Sequence, residues 1–143
     1  MSVDTEVFDL LKINELDLET ELSICSAYYY FYASAASDNE LSHNEAELEL
    51  ETYEADLARR IKDEFETKYK GSKPAKKEIT EAEVKREYRK DIRWLELKKK
   101  ELKIQNECKK MNIIAKAFDM KNLSCMAINK RHLYKANKGM LDI

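Results

Sequence analysis

The chain has 143 residues, 38% of them charged, but only two glycines and one proline. So few turn formers exclude an all-β sandwich or barrel, and the length excludes a large nucleotide-binding enzyme with a second substrate domain. The net charge of −2 hides a segregation: residues 1–58 carry 15 acidic and one basic side chain (net −14), residues 59–143 carry 25 basic and 13 acidic (net +12). Such asymmetry points to polyanion binding, to self-association, or to two halves that pack together and neutralise each other.

Residues 1–16 read as a short acidic lead whose apolar Val7, Phe8, Leu10, Leu11 and Ile13 allow a small helix. Asp17 is placed to cap a helical arm over 17–70, in which Leu18, Leu22, Cys25 and Tyr29 recur at helical spacing. The cluster Ser37, Asp38, Asn39 predicts a break or kink, and Ser42 with Glu45 has the spacing of a capping box that restarts the helix. Beyond it Ala46, Leu50, Tyr53, Leu57, Ile61 and Phe65 form an apolar stripe. Gly71 and Pro74 end the arm in a basic loop over 71–79. Thr80 with Glu83 is the clearest helix start, and nothing interrupts one long helix from about Glu81 to Tyr134 before a tail over 136–143.

Within that helix Trp94, Leu97, Ile104, Cys108, Met111, Ala115, Phe118 and Cys125 fall on alternating spacings of three and four, a coiled-coil-like seam. A second row, Leu95, Leu102, Ile113 and Leu123, widens it. Two seams on one helix predict more than one packing partner. The expectation is therefore an all-α chain, an elongated helical hairpin with a long C-terminal helix, assembling into a helical homo-oligomer.

The three cysteines, Cys25, Cys108 and Cys125, show no CxxC spacing and fit a reducing, cytoplasmic compartment. The acidic start lacks the basic region of a signal peptide, and the longest uncharged run, Leu22 to Ser37, is too short and polar to span a bilayer, so no membrane association is expected.

Catalysis finds no support in the residues. Two scattered glycines cannot build a phosphate-cradling loop. Glu40 and His43 have the spacing of a di-iron half-site, but no second copy exists, and His43 reads as a solvated residue at a helix start. No metal or other cofactor is expected. What remains is binding. Arg59, Arg60, Lys62, Lys68, Lys70, Lys73, Lys76 and Lys77 cluster with Phe65 and Tyr69 interleaved, the combination of cations and rings that single-stranded nucleic acid requires. Lys85, Arg86, Arg89, Lys90 and Arg93 extend the same charge. Lys98, Lys99 and Lys100 go round the helix and read as solvating. In the run from Tyr28 to Tyr32 most rings are expected in a core or interface, since five consecutive residues point all round a helix.

This layout resembles the UvsY-type recombination mediator proteins of tailed bacteriophages. The likeness spans about Asp17 to Tyr134: a Tyr/Ala-rich first helix, the segment EADLARRIKDEF, a basic loop with glycine, the capped start EITEAEVKREYRKDIRW and the closing stretch NIIAKAFDMKNLSCMAINKRHLYK. It implies a non-catalytic, ring-like homo-oligomer, in the bacterial host cytoplasm if phage-encoded. Such proteins bind single-stranded DNA and help load a RecA-like recombinase onto strands coated with single-strand-binding protein. The family's DNA-binding basic pair falls on Ala58 and Arg60, so only its second member is matched; Arg59 stands beside it. The family's oligomerising C-terminal helix corresponds to the seam from Trp94 to Cys125. A coiled-coil adaptor that binds only protein partners fits the same charge pattern.

Overall fold

The computed structural model describes residues 3–68 and 78–141, and every regular element among them is helical. A short helix α1 (Val3–Leu10) is followed by a single 3-10 turn at Glu15–Asp17. Then come α2 (Leu18–Lys68), α3 (Glu81–Tyr88) and α4 (Ile92–Leu141). Asn14 closes the 3-10 turn by accepting from Leu16 N at 3.1 Å, and the Asp17 carboxylate accepts from Thr20 N at 3.4 Å, as its place before α2 predicts. Gly71 and Pro74, expected to end the arm, lie outside the described residues.

Two helix boundaries differ from the sequence expectation. No break occurs at Ser37–Asn39; α2 runs through it for 51 residues, and Ser42 with Glu45 sits mid-helix rather than capping anything. A cap requires extended backbone, and three residues of middling propensity cost at most about 2 kcal/mol together. Packing outweighs that cost: Ala36 and Ala46, on either side of the cluster, are both buried. Conversely, the helix expected from Glu81 to Tyr134 is interrupted at Arg89–Asp91. Thr80 caps α3, accepting from Glu83 N at 3.3 Å. Asp91 then caps α4 by accepting from Trp94 N at 2.9 Å, and Tyr53 Oη donates to the same oxygen at 2.7 Å. A carboxylate satisfied by an N-terminal amide and a tyrosine holds the chain out of the helix at that point.

The chain forms two compact units, each built from antiparallel stretches of α2 and α4. The first comprises the residues up to Asp38 and from Glu107 onward, including α1. Its centre is Phe118, with no exposed surface, stacked against Tyr28 (centroids 5.1 Å apart) and Tyr32 (5.7 Å). Cys25 and Cys125, also fully buried, meet across the helix pair, and burial pushes both thiols above their ordinary pKa. Leu18, Cys125 and Ile128 cluster with Ile13 and Leu22. Lys121, its side chain only 4% exposed, pairs with Glu21 of α2 and donates to the Leu10 carbonyl at the end of α1 (2.6 Å). One cation thereby ties three helices together.

The second unit, Asn39 to Asn106, buries Ala46, Leu50, Leu57, Val84 and Leu97. Its polar contacts cross between helices. Trp94 Nε1 donates to Glu54 Oε1 (2.8 Å), Tyr88 Oη to the Glu54 carbonyl (3.3 Å), and Arg93 and Lys100 both reach Glu49 (3.4 and 3.1 Å). His43 is not at a solvated helix start. It lies half-buried inside α2, with Nε2 3.1 Å from Glu101 Oε1, because Glu101 occupies a buried slot of the seam and needs a polar partner there. The acidic first half and basic second half of the sequence thus meet in part within one chain.

Truncating Phe118 to alanine should cost about 3–5 kcal/mol in urea unfolding followed by far-UV circular dichroism. Lys121→Ala strands the Glu21 carboxylate and should cost a similar amount, about 3–5 kcal/mol. The double substitution Glu21→Gln/Lys121→Met should recover part of that loss, since it removes both charges while keeping their volume.

Candidate nucleic-acid interface

The basic residues predicted for strand binding divide into three groups. Arg59, Arg60, Lys62 and Lys68 occupy exposed positions in the last three turns of α2. Tyr69, Lys70, Lys73, Lys76 and Lys77 lie outside the described residues. Lys85, Arg86, Arg89, Lys90 and Arg93 follow on α3 and its junction with α4.

The α2 group is not a clean cationic strip. Asp56, Asp63, Glu64 and Glu66 are interleaved with it, so residues 56–68 hold four cations and four anions. Arg59 pairs with Asp56 one turn back. Arg60 lies over the Tyr53 ring, 5.8 Å from its centroid, with its guanidinium 3.4 Å from Tyr53 Oη. Lys62 lines a small cleft with Phe65, Glu66, Glu78 and Ile79.

The α3 group presents charge more openly. Val84 is buried and Tyr88 reaches back to the Glu54 carbonyl, which sets the inward face of α3. Arg86 falls opposite that face, with Lys85 and the C-cap residue Arg89 on its flank; all three are exposed and without an ion pair among the described residues, although Glu81, Glu83 and Glu87 are interleaved with them. Lys90 and Arg93 are committed differently, Lys90 to Glu87 (2.9 Å) and Arg93 to Glu49 and Glu96 (3.4 and 3.5 Å). Of the three lysines read as solvating, Lys98 reaches Glu101 and Lys100 reaches Glu49, while Lys99 is exposed.

The aromatic run splits by helix face. Tyr28 and Tyr32 stack on Phe118, whereas Tyr29, Tyr30 and Phe31 are 44%, 74% and 63% exposed. Two of the five rings therefore lie in the core and three face outward from the chain.

The seam residues are consumed within the chain. Leu97, Ala115, Phe118 and Cys125 are buried; Trp94, Ile104, Cys108 and Met111 are half-buried. Their neighbours include Glu54 for Trp94 and the Ala36 carbonyl for Cys108 (3.5 Å), both on α2 of the same chain. The second row, Leu95, Leu102, Ile113 and Leu123, stays 37–67% exposed.

Among the described residues no group of three or more His, Cys, Asp or Glu side chains is placed to hold a metal, and no helix is long and apolar enough to cross a membrane. The open groove along Glu45, Glu49, Tyr53, Asp56 and Leu97 has an acidic rim that repels phosphate. Sequence reading singled out none of the cations at the end of α4, although no acidic residue occurs between Asp119 and Asp142.

No protein-family model, curated protein or solved structure matches the chain.

Two carboxylates tie this unit to pH. Hydrogen bonds from Tyr53 and from Trp94 N hold Asp91 below the usual carboxylate range. Burial raises Glu101, but hydrogen bonds from Lys98 and His43 outweigh it and leave it lowered. A depressed folded-state pKa contributes stability above the unfolded value and loses it as pH falls through the folded one. Unfolding monitored at Trp94, the one tryptophan, should show stability declining below about pH 4. Asp91→Ala should lower stability at neutral pH by about 1–2 kcal/mol and flatten that acid limb.

Proposed function

We propose that the protein is a non-catalytic, single-stranded-DNA-binding recombination mediator that helps load a RecA-like recombinase onto strands coated with single-strand-binding protein. The observation that carries the reading is the group Lys85, Arg86 and Arg89 on α3 and at its end, exposed and in no ion pair among the described residues. Arg59 and Lys62 at the end of α2 belong to the same unit. The resemblance to UvsY-type mediators supplies the biological role; the cations supply a physical basis for it. Phosphates bound there release counterions, and that gain is indifferent to base sequence. Assembly of several chains multiplies a modest affinity per subunit, and the exposed row Leu102, Ile113 and Leu123 offers apolar surface for it. The same exposed row favours the second reading, an adaptor that binds only protein.

The test is fluorescence anisotropy of labelled oligo-dT titrated at several salt concentrations, with light-scattering mass measured in parallel. Wild type should bind, and Lys85→Ala/Arg86→Ala/Arg89→Ala should reduce the slope of log affinity against log salt by about 2, from roughly 0.7 per phosphate contact. Relief of the block that single-strand-binding protein imposes on its recombinase should fall in the same variant. An assembled protein that ignores the strand at low salt would establish the adaptor instead.

A further inference from the structure

The end of α4 differs from the rest of the molecule. Residues 129–139 are all exposed, and a Cβ at Gly139 would meet nothing within 4 Å. The reason lies in helix lengths. α2 begins at Leu18, which packs with Cys125 and Ile128, so α4 outruns its partner after Ile128. Its last turns therefore extend past the start of α2. They carry Lys130, Arg131, Lys135 and Lys138, and from Met120 to Leu141 there is no acidic residue to offset them.

The spacing sorts these cations onto one side. At 3.6 residues per turn, Lys130, Tyr134, Lys138, Arg131 and Lys135 follow one another within about 140° of the helix circumference. Tyr134, 69% exposed, lies inside this arc, between Lys130 and the other three cations. His132, Leu133, Ala136 and Asn137 occupy the remainder. Compensation of the helix dipole accounts for cations in the last turn only, and Lys130 and Arg131 stand ten or more residues before the end of α4. An apolar partner helix would not select four cations, and a second copy of this face would be repelled by it.

We infer that the terminal turns of α4 form a second strand-binding face, in which Lys130, Arg131, Lys135 and Lys138 hold phosphates and Tyr134 stacks on a base. This inference rests on the strand-binding reading above but uses different residues in the other unit. The face extends about 12 Å from Lys130 to Lys138, enough for a few nucleotides of an unpaired strand. A ring flanked by cations is the arrangement that accepts a base without reading its identity.

The test uses the full chain and oligo-dT. Lys130→Gln/Arg131→Gln/Lys135→Gln/Lys138→Gln should keep its helix content by circular dichroism, since all four side chains are exposed, and lower the salt slope by about 3. Tyr134→Ala should weaken binding roughly fivefold to a hundredfold, and Tyr134→Phe should retain it. Photo-crosslinking to an iododeoxyuridine strand should mark the peptide that carries Tyr134. An unchanged slope in the quadruple variant, alongside weakened binding in Lys85→Ala/Arg86→Ala/Arg89→Ala, would overturn this inference and leave the α3 reading standing. The reverse pattern would uphold the α4 face and remove α3. Loss of binding to phosphatidylcholine–phosphatidylglycerol vesicles or to polyglutamate, with oligo-dT binding intact, would overturn it in favour of an anionic membrane or an acidic protein. No strand binding by wild type would end both readings.

Discussion

A fifty-residue helix whose apolar stripe is one or two side chains wide cannot stand alone in water, and this chain contains two of them. Their mutual burial is the constraint on which everything else depends. In the first unit it is met by a large filler, Phe118 between two tyrosines, and by small side chains such as Cys25, Ala36, Cys108 and Ala115 that let the backbones approach. In the second it is met by fewer apolar residues and more hydrogen bonds, with Tyr53, Tyr88 and Trp94 all tied to acidic residues or their carbonyls. The interruption between α3 and α4 belongs to that second solution, because Asp91 serves as a cap and as the Tyr53 acceptor together.

The same pairing redistributes charge. The acidic stretch of α2 lies against basic positions of α4, and Glu49 and Glu21 each take at least one cation from α4. Exposed pairs among these contribute little to stability, typically under about 1 kcal/mol. Their larger consequence is subtractive. A cation facing α2 is neutralised, and one with no acidic helix opposite keeps its field. The sequence-level segregation of −14 and +12 is therefore reduced where the helices pair, while Lys99, Lys103, Lys109, Lys110 and Lys116 stay exposed on α4 without an ion pair among the described residues.

Much of this was legible beforehand: the Asp17 and Thr80 caps, the apolar spacing from Trp94 to Cys125, which within one chain packs against α2, and the all-helical character of the described residues. What misled was local chemistry read without its tertiary neighbours. Ser37, Asp38 and Asn39 have the composition of a breaker, yet their propensity cost is small beside the burial of Ala36 and Ala46. Asp91 carries no glutamate three residues on to advertise a capping box, and the tyrosine that fixes it is 38 residues away. His43 acquires a role only because Glu101, distant in sequence, comes to lie beside it. Of the basic cluster from Arg59 to Lys77 only the part on α2 lies among the described residues, and there four carboxylates are interleaved with its four cations.

The positions of the remaining free charge bear on how such a protein would work. Exposed cations outside any described ion pair stand on α3 and at its end, along α4 at Lys99, Lys103, Lys109, Lys110 and Lys116, and in the last turns of α4, which outlasts α2. Under the proposed reading, three or four phosphate contacts at α3 or at the end of α4 would give weak binding at physiological salt, in the range of about 10⁻⁴ to 10⁻⁶ M. Weakness of each contact is useful to a mediator. A strand held by several modest faces across an assembly is retained by avidity, yet any one face releases it quickly, so an incoming filament displaces contacts one at a time. A single tight, enclosed groove would hold the strand against the recombinase as firmly as against its coat. Under the proposed reading, cations standing on open helix faces would produce the first arrangement.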